Sequence, residues 1–370
     1  MKKIRVAELF AGVGGFRLGL ERASDRFETV FANQWEPSKK KQWAYKGYTS
    51  HWNDNTCINE DINLVNKSSI PNFDLLVGGN PCQNWSVASS ADKALGLKGS
   101  KGILWFQIYE ILKLKQPKYF LLENVDRQLK APTKQKGRDF ALMLSLYSQL
   151  GYEVEYMIVD SSKYGNPQRR KRVFVFGCRE SNPLILRKCF PFNSNVSGNL
   201  ESIEEAVNKS IDFKNYGYTT KGCVNIFKVK EIEEGIVSLK SILEKESLNK
   251  KYLTQEQIEK FKYLKGSKKL KRVTKEGYEY NYSEGAMAFP DNLDLPSRTM
   301  LTSEGSVNRC SHVVEDNGLR FLTPVECERL NGFPDGWTEG MPDRMRYFCM
   351  GNALVVPLIE RIGSEIVKII

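Results

Sequence analysis

The chain predicts an α/β fold: a sheet with helices on both faces, plus a smaller, mixed and irregular domain. Three observations carry that expectation. Strand-like and helix-like segments alternate at short intervals as far as Cys178, glycine turns follow several of the strands, and the alternation stops beyond that point.

The elements are predicted in this order. Ile4 to Phe10 reads as a buried strand, followed by a glycine turn and an amphipathic helix from Phe16 to Ala23. Phe27 to Ala32 is the next strand, and Pro37 is expected to open a helix through Lys46, since proline suits a first helical turn. Asp74 to Val77 is a short apolar strand that ends in Gly78-Gly79. Ile103 to Leu114 has helical periodicity and leads to the strand Tyr119 to Leu122. Phe140 to Leu150 is a helix closed by Gly151, and Glu153 to Val159 and Arg172 to Phe176 are two further strands. Repeated β-α-β units with short links imply a parallel sheet.

From Asn182 to about Asn317 the chain is rich in Asn, Ser, Lys and Tyr, with weak periodicity, and reads as a separate basic domain. Within it, Lys260 to Lys275 interleaves basic and aromatic residues, which suits either a solvated helix face or phosphate contact. Leu354 to Ile370 is again an amphipathic helix, able to pack back on the first domain.

Composition narrows the function classes. The 370 residues are 41% hydrophobic and 27% charged, as in ordinary globular proteins. No apolar run reaches the roughly 18 residues of a membrane span, and the first residues run straight into a strand, so a membrane or secreted protein is not expected. Lys and Arg total 55 against 44 acidic residues; the net charge of +11 favours a polyanionic partner. The 8 cysteines include no C-x-x-C pair and there are only 2 histidines, which argues against a zinc site, a disulfide framework and a Ser-His-Asp hydrolase. Reduced thiols in a cytoplasm fit best. Acid–base chemistry must then lean on carboxylates, Arg or Cys.

Several segments carry chemistry. Phe10-Ala-Gly12-Val-Gly14 follows the first strand, where glycines let backbone approach a ligand closely. The dinucleotide fingerprint is not matched, because Arg17 stands at the third glycine, so an adenosine-bearing cofactor without a pyrophosphate fits better. Gln34-Trp35 follows the second strand, where such folds place ribose-binding groups, and Trp35 can stack on adenine or simply be an interfacial Trp. Asn80-Pro81-Cys82-Gln83 holds a cysteine on a turn after a strand, as suits a nucleophile. Glu123-Asn124-Val125 puts a carboxylate on the same sheet edge, where an unpaired core Glu would be costly. The cations of Gln168-Arg169-Arg170-Lys171-Arg172 can pair with Glu123, a base carbonyl or phosphates.

With these residues in place the chain resembles the cytosine-C5 DNA methyltransferases, the bacterial or phage type II modification enzymes, over most of its length and in the family's motif order. Phe10-x-Gly12-x-Gly14 resembles the cofactor loop, Asp61-Ile62 the adenine-contacting pair, Pro81-Cys82-Gln83 the nucleophile motif and Glu123-Asn124-Val125 the base-binding motif. Gln168-x-Arg170-x-Arg172 is similar to the family's Q-x-R-x-R. Arg320-x-Leu322-Thr323-Pro324-x-Glu326-Cys327, on to Gly332-Phe333-Pro334, resembles the ninth motif, and Gly351-Asn352-Ala353 with Val356-Pro357 the tenth. The chain departs from the pattern at Gln34, where family members usually carry Glu, and at Asn80, where Phe is frequent.

The resemblance implies a Rossmann-like, S-adenosylmethionine-dependent methyltransferase sheet in a catalytic domain of residues 1–180 and 345–370, and a target-recognition domain of residues 181–344. It implies cofactor contacts at Phe10, Gly12, Gly14, Gln34, Trp35, Asp61, Ile62, Asn80, Pro81, Leu104, Asn352 and Ala353. The Cys82 thiolate would add to carbon 6 of a flipped cytosine, making carbon 5 nucleophilic. Glu123 would hold ring N3 and the exocyclic amine, Arg170 the carbonyl O2, and Arg172 would position Cys82 or the target backbone. Ser86, Lys101 and Gln168 would contact DNA, with residues 84–101 as a closing loop. The implied partner is double-stranded DNA, with no metal and no membrane; the enzyme is expected to act as a monomer alongside a cognate restriction endonuclease. Two other readings stand beside it. One is an RNA (tRNA) cytosine-5 methyltransferase, against which the absence of the Cys-Phe-Thr of that branch speaks. The other is a catalytically silent DNA-binding paralogue, against which the intact Cys82 and Glu123 speak.

Overall fold

The strand IRVAEL is mostly apolar and is buried on both of its faces, which suits a position in the middle of a sheet covered on two sides. This strand, β1 (Ile4–Leu9), does lie inside a ten-stranded sheet. The computed structural model describes residues 2–37, 39–79, 104–132, 135–180, 183–193, 198–273 and 277–370. Strands β2 (Phe27–Asn33), β3 (Cys57–Ile58), β4 (Leu75–Gly78) and β5 (Tyr119–Val125) run parallel with β1 in the order β3-β2-β1-β4-β5. Helices α1 (Gly15–Ala23), α2 (Trp43–His51) and α3 (Leu104–Lys115) lie between these strands in sequence, and α4 (Arg138–Gln149) follows β5.

The all-parallel expectation is corrected beyond β5. Strand β7 (Lys171–Cys178) pairs antiparallel with both β5 and β6 (Glu153–Asp160), so the sheet is mixed. The cause is the short link from β6 to β7, which holds one 3₁₀ turn at Ser161–Lys163. A parallel crossover needs a dozen or more residues, usually including a helix. Three further strands, β8 (Gly198–Ser202), β9 (Tyr216–Thr220) and β10 (Cys223–Phe227), extend the sheet past β6, with β9 antiparallel to β6.

Side chains alternate between two cores, as the period of a strand requires. Ala7, Leu9, Phe120 and Leu122 face a core shared with α3 and α4. Ile4, Val6, Tyr119 and Leu121 face one shared with α1, α5 (Ile185–Cys189) and α10 (Val356–Val367). Helices therefore cover both faces, as expected. Pro37, however, opens no helix. The Gln42 side chain closes the loop instead, accepting from Glu36 N–H at 2.8 Å and donating to the carbonyls of Glu36 and Lys39 at 2.8 Å each, and α2 starts only at Trp43.

The chain forms two compact units. One comprises residues 1–164, 170–235 and 354–370 and contains the whole large sheet; the other comprises 165–169 and 236–353. These contact borders differ from the expected functional borders at 181 and 345, because β8 to β10 hydrogen-bond into the sheet. The second unit contains α7 (Gln255–Lys265), α8 (Pro324–Leu330), α9 (Asp343–Asn352) and two small sheets. One sheet pairs β11 (Lys268–Val273) with β12 (Glu279–Glu284), the other β13 (Val313–Glu315) with β14 (Leu319–Phe321). Its α7 core packs Phe261 against Val313 and Phe321. Helix α6 (Ile203–Asn208) belongs to the first unit. Among the described residues no helix is long and apolar enough to cross a membrane.

Candidate active site

The carboxyl end of β1 carries an unusual backbone. Phe10, Gly12 and Gly14 have φ of 55°, 58° and 86°. A left-handed conformation costs a non-glycine residue about 1–2 kcal/mol, so Phe10 is held there by its surroundings. At Gly14, the N-cap of α1, a Cβ would meet the Trp52 ring at 2.2 Å, so glycine is required for space as well as for φ. Among the described residues a Cβ at Gly12 would meet nothing within 4 Å. The loop thus forms a glycine cradle with partly exposed backbone at Gly12.

The flanking strand ends complete this edge. Gly12 N–H donates to Gln34 Oε1 at 2.7 Å, and Asn59 Nδ2 donates to the Gln34 carbonyl at 2.7 Å. Only the amide oxygen can accept, and the glycine loop takes one of its two lone pairs. Trp35 is 38% exposed beside it. Asp61 Oδ1 accepts from Asn63 N at 2.9 Å and Nδ2 at 2.7 Å, which holds the Asp61-Ile62 turn, with Ile62 buried in the core. Leu104 begins α3, half-buried against the same core as Phe10. These eight residues belong to the first unit.

Beneath the loop lies a polar network that the sequence reading missed. Arg17 donates from Nε to Glu21 at 2.8 Å and from Nη1 to Thr56 at 3.1 Å, pairs with Asp54 at 2.5 Å, and stands 4.7 Å from the Trp52 ring centroid. Tyr48 hydroxyl donates to Glu8 at 3.4 Å. Burial pushes the Glu8 carboxyl up to about 8, with the Arg17 charge opposing. The Asp54 carboxyl is held down at about 2: its desolvation is outweighed by bonds from Arg17 and Thr56. The position that breaks the dinucleotide fingerprint is therefore occupied by a buried cation that braces the loop. Its signal in the sequence was an Arg on the inward side of an amphipathic helix.

The second cluster forms where β5 meets β7. Glu123 is paired in register with Phe174, and Val125 with Arg172. Arg172 Nε stands 2.9 Å from Glu123 Oε1 as a charge contact, without the alignment of a directed hydrogen bond. Arg170 is buried, its backbone exchanging hydrogen bonds with Ser161 at 3.2 Å each way. Burial, then the Arg172 charge, lowers its guanidinium to about 9, with Glu123 opposing, so it stays cationic at neutral pH. Glu123, Arg170 and Arg172 are thus brought together. A Cβ at Gly79 would lie 3.3 Å from Glu123 Oε2, so the chain leaves β4 beside this carboxylate.

Other expected residues fall elsewhere. Asn80, Pro81, Cys82, Ser86 and Lys101 lie outside the described residues. Asn352 and Ala353 end α9 in the second unit, the last residues before the chain re-enters the first at Leu354. Gln168 is also in the second unit and wholly buried. It donates to Asn331 Oδ1 at 2.8 Å and accepts from Met300 N–H at 2.9 Å. Its amide is thus held by partners inside the second unit. The Arg320 to Pro334 segment is likewise interior. Arg320 forms a two-point pair with Glu326 at 2.9 and 2.7 Å, both buried, and Glu326 accepts from Thr323 N–H in a capping box. Among the described cysteines, burial pushes the Cys57 thiol up to about 12 and those of Cys189 and Cys327 well above the ordinary range.

Comparisons with known proteins identify the family. The family model of C-5 cytosine-specific DNA methylases matches residues 4–368. The chain is 47% identical to the type II methyltransferase M.Sau3AI of Staphylococcus aureus, covering 100% of this chain and 97% of that protein. It is 29% identical to M.NlaIV of Neisseria lactamica, with 99% of each covered. Among solved structures, the S. pombe Dnmt2 methyltransferase superposes with a TM-score of 0.65 at 15% identity, covering 99% of both chains, which speaks for the fold. The glycine cradle, the Glu123–arginine cluster and the full-length family match lead to one conclusion: the chain belongs to the C-5 cytosine-specific DNA methylases and is a DNA cytosine-5 methyltransferase.

Proposed function

We propose that this enzyme methylates carbon 5 of a cytosine flipped out of a specific duplex DNA sequence, through a transient covalent bond from Cys82. The observation that carries the reading is the Glu123, Arg170 and Arg172 cluster beside Gly79, from which the chain continues to Cys82. The Cys82 thiolate adds to carbon 6, while Glu123 holds ring N3 and the exocyclic amine as electron density moves into the ring. Arg170, cationic and desolvated, holds the carbonyl O2, and Arg172 orients Glu123. S-adenosylmethionine supplies an electrophilic methyl group for the nucleophilic carbon 5. Loss of the carbon 5 proton, to water, then expels the Cys82 thiolate. The buried, raised thiols at positions 57, 189 and 327 are poor substitutes for this nucleophile.

Phe10, Gly12, Gly14, Trp35, Asp61, Ile62 and Leu104 would hold the cofactor, together with Asn80, Pro81, Asn352 and Ala353. Gln34 would meet the ribose through its amide group, whose oxygen accepts from Gly12 and keeps a second lone pair. The type II relative at 47% identity supports a restriction-modification role in a bacterial or phage-infected cytoplasm, with an endonuclease that shares the recognition site as functional partner. Duplex oligonucleotides that contain 5-fluorocytosine, which has no carbon 5 proton to lose, test the mechanism. With cofactor, the wild-type enzyme should remain covalently attached on denaturing gels, and Cys82→Ala should not. A wild-type enzyme that methylates DNA but is never trapped overturns the covalent mechanism.

A further inference from the structure

The basic and aromatic stretch from Lys260 does not form one helix face. It runs from α7 into β11, and β11 pairs with β12 as a two-stranded ribbon that no other strand joins among the described residues. The root of the ribbon is firmly held. Arg309 donates to the carbonyls of Leu264, Gly266 and Gly285, and Met287 N–H donates to the Lys265 carbonyl at 2.8 Å. The Lys265 side chain is buried 3.2 Å from Asp291, which also pairs with Arg298 at 2.9 Å.

Above this root every residue of both strands is exposed except Lys268, Tyr282 and Glu284, which are half-buried. A two-stranded ribbon covered on neither face gains little from burial and is marginal alone. Its stability comes from the root, so its form is not explained by core packing. The pleat sorts its side chains into two faces. On one, Arg272 lies 3.7 Å from the Tyr282 ring centroid, Tyr282 hydroxyl bonds Glu284, and Lys268 is 3.9 Å from Glu284, so this face is satisfied internally. On the other, Lys271 stands directly opposite Asn281, and Lys269 opposite Ser283. Among the described residues none of these four side chains has an ion-pair or hydrogen-bond partner within the protein.

We propose that this polar face of the ribbon enters the major groove of the target duplex, with Lys271 and Asn281 as the pair that reads base edges. The major groove, about 12 Å wide, admits a two-stranded ribbon. Lysine donates to guanine O6 and N7, and asparagine makes a two-point contact with adenine N6 and N7. Two cations and no carboxylate among these four residues match the polyanion, while Glu279 lies at the far end of the same face. The proposal deepens the reading that duplex DNA is the substrate and rests on it.

The test treats a plasmid library carrying a randomised segment with wild type, Lys271→Ala, Asn281→Ala and the double variant, in the presence of S-adenosylmethionine, then reads methylated cytosines by bisulfite sequencing. Each single variant should lose about 10- to 100-fold in methylation of the wild-type site and relax the preference at one base pair. Thermal unfolding midpoints should not move, because both side chains are exposed. Unchanged site preference, or an equal loss on all sequences with only a shallower salt dependence, would overturn the assignment and leave the ribbon as scaffold or phosphate contact. Wild-type methylation of the library is the separate readout of the substrate; its absence would overturn both readings.

Discussion

The motif residues of the first unit and those of the second differ in what their side chains touch. Around β1 and β5 they sit at strand ends, with left-handed backbone at Phe10, a partly exposed Gly12 and a loosely aligned ion pair between Glu123 and Arg172. In the second unit Gln168, Arg320, Thr323, Glu326 and Asn331 are buried and bonded to one another or to nearby backbone. A motif match therefore says that a residue type is required at a position. Burial and completeness of pairing say whether it is required for chemistry or for architecture. Within Gln168-x-Arg170-x-Arg172 the two cases are two residues apart, one in each unit.

Paired glutamine substitutions should break this comparison if it is false. Glu123→Gln is expected to lower kcat about 10²–10⁴-fold, measured by transfer of labelled methyl groups, with a minor change in unfolding midpoint. Glu326→Gln should do the reverse, lowering stability by about 3–5 kcal/mol in denaturant titration, because it leaves the buried Arg320 short of its partner charge. A smaller effect is expected for Gln168→Ala, about 1–3 kcal/mol of stability, since Asn331 and the Met300 N–H lose buried partners. Its DNA affinity, compared with wild type below the unfolding transition, should be unchanged; a loss there would restore Gln168 as a DNA contact. The smallest change sharpens the cofactor edge. Gln34→Glu keeps an oxygen for the Gly12 N–H and adds a charged acceptor for a ribose hydroxyl, so calorimetry should show S-adenosylmethionine binding about three- to tenfold tighter.

Much of the first unit was legible because its strands are buried on two faces and bounded by glycine. Ile4–Leu9, Phe27–Asn33 and Tyr119–Val125 could be found from apolar runs alone. The direction of β7 was not legible, since a strand's own residues are alike in either orientation and only the length of the preceding link decides it. The start of α2 was hidden because Gln42 satisfies loop backbone that a helix beginning at Pro37 would otherwise have paired. Strands β8 to β10 were missed where edge positions admit Asn, Glu, Thr and Gly, which weakens the alternation. At the site, Glu123 and the arginines were found from motif and edge position. The Glu8–Tyr48–Arg17 network was not, because it joins three elements that share no local pattern.

Helix α10 closes the sheet it belongs to from the far end of the chain. Its Ile359 fills the space above Gly19 of α1, and Arg26 donates both to the Lys2 carbonyl at 3.3 Å and to the Val367 carbonyl at 3.1 Å. During synthesis on a ribosome, the side of α1 that meets Ile359 is therefore covered only after the second unit has been made.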